Sequence, residues 1–126
     1  MADIINLDQV RAKNAFKACS VGKFSGANNG EVVKKLPPMI RENGMLGALA
    51  FAMSKKDKEV IGYANAFEVI TQHLYYIGKI TSSNAETLQK ELLECNSLKL
   101  RDVTVETMLY LDYLRRFAKK NEEQNK

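Results

Sequence analysis

The stretch from Lys34 to Lys56, KKLPPMIRENGMLGALAFAMSKK, decides the fold because it joins two helices through one short break. Pro37 and Pro38 carry no amide protons and suit a kink or restart in a helix, while Asn43 and Gly44 offer the left-handed residues that close one. The expected result is a helical hairpin. Beyond the break, Met45, Leu46, Ala48, Leu49, Ala50, Phe51, Ala52 and Met53 form a short segment that is apolar almost all round and ends at Ser54, Lys55 and Lys56. A helix without a polar face has to be buried.

Working outward, the rest of the chain reads as helices and turns. Asp8 can cap a first helix running to about Val21, and Gly22 to Gly30, with three glycines and two asparagines, makes the following loop. Glu31 to Asn43 is the second helix, broken at the prolines, and Met45 to Lys56 the third. The fourth spans about Asp57 to Ile77 and stops at Gly78; Val60, Tyr63, Ala64, Phe67, Ile70, Thr71, Leu74 and Ile77 recur along it at helical spacing. Ser82 or Ser83 with Glu86 resembles a capping box that opens a fifth helix through Glu94, and Asp102 opens the sixth. No alternating strand pattern of useful length occurs. The expected fold is all-α, a compact bundle of about six helices in a single domain over residues 1–118, with 119–126, KKNEEQNK, as a polar, frayed tail.

Composition fits one core: 126 residues, 45% of them hydrophobic, bury roughly two-thirds of the unfolded surface of such a chain. No apolar run approaches the ~20 residues that span a bilayer, and MADIINLDQV lacks the charged start and apolar segment of a signal peptide, so a cytoplasmic location is expected. Cys19 and Cys95 have neither metal-ligand spacing nor a nearby histidine and read as reduced, packed thiols. The net charge of +4 would favour a polyanion partner only where the positive groups cluster in space.

On a helical wheel the last helix gathers Val103, Thr107, Tyr110, Leu111, Leu114, Phe117 and Ala118 on one side and Arg101, Arg115, Arg116 and Lys119 on the other. The first buries Ala12, Ala15, Phe16 and Cys19, yet Leu7, Val10, Ala18 and Val21 line a second side beside Lys13 and Lys17. Apolar residues on two sides call for two partners, either a neighbouring helix or another subunit. Val105, Met108 and Leu109, off the core side of the last helix, raise the same alternative. Leu7, Val10, Val21, Met108 and Leu109 are therefore the candidate subunit contacts.

Catalytic groups are scarce. The only histidine, His73, falls opposite the apolar stripe of its helix, near Asn65, Gln72 and Tyr76, and reads as a surface residue. Acid–base chemistry needs two groups in contrasting environments, and a metal needs several ligands at fixed spacing. Asp8, Asp57, Glu59, Glu68, Asp102 and Asp112 instead occupy caps, first turns or exposed positions, Asp112 pairing with Arg116. The nucleotide and acyl-transfer motifs GxxxxGK[ST], GxGxxG and GxSxG do not occur. The chain is read as no enzyme, with no cofactor, no metal and no small-molecule substrate. Lys13, Lys17, Lys34, Lys35, Arg41, Lys55, Lys56, Arg115 and Arg116 remain as candidate phosphate contacts, a mode that gives affinity without reading bases. Aromatics interleaved with them are few, chiefly Phe16, Tyr75 and Tyr76, and Phe16 is better explained as core.

Three signatures carry a resemblance: Leu7, Gln9, Arg11 and Ala12 near the start, the Lys34–Lys56 stretch, and MLYLDYLRRFA from Met108 to Ala118. In this order and spacing, the chain resembles the small all-helical subunit of the type III-B CRISPR effector, the Cmr complex. Where that family carries a tryptophan ahead of the leucine of the closing motif, this chain has Tyr113, and it contains no tryptophan. The resemblance implies a non-catalytic subunit of an antiviral ribonucleoprotein. Its partners would be other Cmr effector subunits, copies of itself, and the crRNA and target RNA, met mainly through their backbones, with no membrane involved. Arg41, Lys55, Arg115 and Arg116 lie within or beside the family-like motifs. The other reading is a free-standing helical interaction module whose basic residues only solvate it.

Overall fold

The computed structural model describes residues 6–20, 27–54 and 58–124. They form α1 (Leu7–Ser20), α2 (Ala27–Ser54), α3 (Lys58–Tyr76), α4 (Ala85–Glu94) and α5 (Ser97–Gln124), with no strand among them. α2 is two helices run together across Gly44, whose φ of 79° and ψ of 165° leave the helical region. Counting the halves separately, the described residues hold the six helical segments that the pattern predicts. Pro37 and Pro38 do not break the chain as expected; both lie inside α2, and Gly44 is its sole non-helical position. The proline ring already sets φ near the helical value, so its cost falls on missing amide bonds rather than on direction. Gly44 changes the direction because a positive φ is open to glycine at little cost.

Asparagines begin these helices, and not the residues that the spacing favours. Asn6 Oδ1 accepts from Gln9 N at 3.2 Å at the start of α1, while Asp8 sits in the first turn and faces Arg11. Asn84, not Ser82 or Ser83, caps α4 by accepting from Thr87 N at 2.9 Å. Asn96 caps α5 by accepting from Lys99 N at 2.8 Å, so the helix starts at Ser97, ahead of Asp102, which instead pairs with Lys79 at 2.9 Å. In each case the amide oxygen satisfies an amide proton that the first turn leaves without a partner. α3 stops at Gly78 as the sequence indicates. With φ at 78°, Gly78 N donates to Tyr75 O at 3.1 Å and Lys79 N to Leu74 O at 3.0 Å, the paired bonds of a Schellman end.

Between α3 and α4, Glu91 accepts from both Thr81 and Ser82, through backbone and hydroxyl groups, and from Lys99 Nζ at 2.7 Å. Burial by itself would raise this carboxyl. The bonds from Lys99, Ser82 and Thr81 outweigh it and hold the pKa down at about 2, so Glu91 stays ionised and pins the turn.

The core joins Leu36, Ile40 and Leu49 of α2, Phe67, Ile70 and Leu74 of α3, Leu88 and Leu92 of α4, and Tyr110, Leu111 and Leu114 of α5. α1 adds Ala15 and Cys19 by packing across α5 and α3. Burial pushes the Cys19 thiol up to about 11, and neither Cys19 nor Cys95 enters a disulfide, as expected of reduced, packed thiols. The expected stripe of α5 is buried at Val103, Thr107, Tyr110, Leu111, Leu114 and Ala118, with Phe117 half-buried at its edge. The segment after Gly44 corrects its expectation. Met45, Ala48, Leu49 and Ala52 are buried, but Ala50 and Phe51 face outward, Phe51 resting edge-on against Tyr63 at 5.4 Å. Its partners α3, α4 and α5 cover one side of α2, and the small Gly47 and Ala50 on the other side leave it tolerable in water.

Candidate nucleic-acid interface

Arg11 fixes how α1 sits. Its Nε and Nη2 donate to the two oxygens of Glu106 on α5, each at 2.7 Å, a bidentate pair in which Glu106 is buried. Glu106 also accepts from His73 Nε2 at 2.9 Å, and His73 Nδ1 accepts from Asn14 Nδ2 at 2.9 Å. That pattern sets the neutral tautomer with the proton on Nε2. Burial lowers the His73 pKa against the pull of Glu106, which agrees with a neutral ring. Burial alone would raise Glu106, but the bonds from Arg11 and then His73 hold it below the usual carboxylate range. Tyr110 stacks flat on His73, centroids 4.2 Å apart and planes 5° from parallel.

This network corrects the reading of His73 as a surface residue, for its side chain is buried between three helices. α3 packs against α2, α4, α5 and α1, so a wheel drawn for one stripe assigns its second buried side, Ala66, Val69 and His73, to solvent. α1 is corrected in the same way. Ala15 and Cys19 are buried as expected, but Arg11 and Ala18 are half-buried beside them, and Phe16, expected in the core, is 57% exposed. A guanidinium with two ideal carboxylate bonds can be buried where an unpaired one cannot. The sequence does carry one trace of this site: Glu106 falls beside Val103, Thr107 and Tyr110 on the wheel of α5, a carboxylate inside an apolar stripe.

With α1 docked this way, two helices that carry candidate phosphate contacts cross each other. Phe16 meets Phe117 edge-to-face at 5.4 Å, and the Tyr113 hydroxyl donates to Asp8. The exposed Lys13 and Lys17 of α1 thus stand on the helix that crosses the end of α5 bearing Arg115 and Arg116. Both arginines are exposed and share Asp112, at 3.1 Å and 3.3 Å, the second being the expected pair. Such exposed pairs contribute only ~0.3–0.5 kcal/mol, so the guanidinium groups can be redirected to a phosphate at little cost. Lys34, Lys35 and Arg41 are exposed on α2. Lys55 and Lys56 lie outside the described residues, as does Val21.

Of the candidate subunit contacts, Leu7, Val10 and Met108 are half-buried and Leu109 is exposed. Leu109 belongs to a longer stripe on α5 with Val105 and with Leu98, which the helical wheel does not single out; all three are exposed. The spacing of seven and four residues places them on one line of the helix.

The family model described as CRISPR-associated protein (Cas_Cmr5) matches residues 7–121, nearly the whole of this bundle. The chain belongs to the CRISPR-associated Cmr5 family. Family membership makes it a subunit of a CRISPR Cmr effector complex and agrees with the all-helical fold. Neither a comparison with curated proteins nor one with solved structures returns a match. Among the described residues, no helix is long and apolar enough to cross a membrane, and no group of three or more His, Cys, Asp or Glu side chains is placed to hold a metal ion.

Proposed function

We propose that this subunit is a non-catalytic structural element of the type III-B effector, stacking with other subunits, including copies of itself, along the path of the crRNA and its target in antiviral defence. The observation that carries the reading is the crossing of α1 and α5 at Phe16 and Phe117, which joins the helix bearing the exposed Lys13 and Lys17 to the one bearing the exposed Arg115 and Arg116. Contacts of this kind grip phosphates and leave sequence recognition to base pairing. The absence of a catalytic part is supported by His73: both ring nitrogens are committed, to Asn14 and Glu106, which leaves no lone pair for a substrate. Family membership supports this role over that of a free-standing interaction module.

The test is target-RNA binding across a salt series by complexes reconstituted with wild-type subunit or with Arg115→Glu and Arg116→Glu together. Both side chains lie outside the core, so assembly should survive. Weaker binding is expected, with a salt slope shallower by roughly 0.7 to 0.9 for each phosphate that a copy no longer neutralises. Equal affinities and slopes in intact complexes would show that these arginines only solvate the surface.

A further inference from the structure

A cleft of about 270 Å³ opens between α1 and α3 over the Arg11–Glu106–His73 network, lined by Asn14, Lys17, Gln72, His73, Tyr76 and Tyr110 among others. We propose that this cleft receives one unpaired nucleobase of a single RNA strand, with Lys17 on the adjoining phosphate. The inference rests on the RNA role proposed above and adds to it a site that handles a base rather than a backbone.

Three observations converge. Tyr76 is 72% exposed at the rim, an arrangement that costs apolar exposure unless something stacks on it. Stacking on such a ring is the usual way a protein holds an unpaired base. Both walls carry amides: Gln72, one turn from Tyr76 on α3, is exposed, and across the cleft Asn14 of α1 has one amide proton committed to His73, which fixes its orientation and leaves its oxygen and second proton for a ligand. Asn and Gln side chains are suited to base edges because each presents a donor beside an acceptor. The cavity lies just below the ~300 Å³ at which small-molecule sites begin and is enough for one planar ring system.

The surroundings favour a strand over a free nucleotide or a protein side chain. Among the described residues, Lys17 is the single cation lining the cleft, too little charge to hold a free polyphosphate. Lys13 lies one turn away on the same helix, and Phe16 is exposed between them. A strand entering the cleft therefore passes cations and an aromatic face, and inside it Asn14 and Gln72 give a base polar partners beside the apolar Ala18 and Val69. The floor is preorganised, since Tyr110 and His73 are stacked, buried and held by Glu106 and Arg11. Little ordering is then required on binding.

The experiment follows the ring resonances of Tyr76 and His73 by NMR in the full chain, carbon-13-labelled at tyrosine and histidine, titrated with single-stranded oligoadenylate and oligouridylate, a blunt RNA duplex, and adenosine monophosphate. Single strands should shift both rings, while duplex and mononucleotide at equal nucleotide concentration should not. Tyr76→Ala should weaken single-strand binding at least about fivefold, as expected for removal of one stacked base. Tyr76→Phe should restore it, and Lys17→Glu should weaken it. Undisturbed rings, an unchanged affinity in Tyr76→Ala, or equal shifts from the duplex would overturn the proposal. So would equal shifts from the mononucleotide, which would assign the cleft to a free metabolite, or shifts caused by the other effector subunits without RNA, which would assign it to protein docking. Failure here with the Arg115 and Arg116 effect intact removes the base site alone, and the reverse pattern removes the phosphate path alone.

Discussion

At the scale of single residues, Glu106 has the most at stake, because one buried carboxylate serves both Arg11 and His73. Removing it leaves a guanidinium that is 13% exposed with only the exposed Asp8, at 3.6 Å, as counter-charge. Glu106→Ala should therefore cost about 3–5 kcal/mol in denaturant melts, whereas a double replacement of Arg11 and Glu106 by apolar residues of similar volume should cost less. The same network makes stability depend on pH with a sign fixed by burial. The His73 pKa is lowered from 6.5, so below that pH the unfolded chain binds a proton that the folded chain refuses. Stability is then complete above pH 6.5 and falls as the pH drops, by at most about 1 kcal/mol between pH 6.5 and 5.5. Glu106, lowered from 4.5, adds a second loss below that value. Since the chain has a single histidine, His73→Gln should abolish the first step and leave the second. An unchanged profile in the variant would mean that His73 titrates freely in the folded state.

At the scale of elements, the break in α2 belongs to Gly44 alone, and this separates two kinds of cost. A Cβ at Gly44 would meet nothing within 4 Å, so Gly44→Ala should lose only the backbone penalty of a φ of 79° with a ψ of 165°, a region essentially confined to glycine, about 1–3 kcal/mol. Leu49, fully buried one helical stretch later, should lose about 2–5 kcal/mol on truncation to alanine because a cavity remains. Phe51, expected from its helix to behave like Leu49, is 39% exposed and should lose only about 1 kcal/mol, the value of its edge contact with Tyr63. Urea midpoints for the three variants should show the largest fall for Leu49 and the smallest for Phe51. The prolines are instructive as well. Their positions were legible in the sequence, but whether a helix stops at a proline depends on what else holds it, and here Leu36 and Ile40, both buried, keep α2 on the core on either side of them.

For the whole molecule, the exposed line of Leu98, Val105 and Leu109 on α5 is more apolar surface than a lone helix face needs in water, and it fits a contact with another effector subunit. Val105→Glu with Leu109→Glu should leave the denaturant melt of the free chain within about 0.5 kcal/mol of wild type, since neither residue is in the core. The variant should be depleted from reconstituted complexes, as read by its stoichiometry in the purified assembly; full incorporation would place the interface elsewhere. The sequence by itself determined the all-helical class, the closing glycines Gly44 and Gly78, the core stripe of α5, and the family, because helical spacing, positive-φ residues and short motifs are local properties. Only the tertiary structure decided which side of α1 and of α3 is inside. Each of these helices has more than one neighbour, so burial is set by the sum of contacts and not by a single stripe. Arg11, Glu106 and His73 are far apart in the chain and each, taken singly, is a surface residue; their burial is stable only when all three meet, and a pairing at that separation leaves no local periodicity to read.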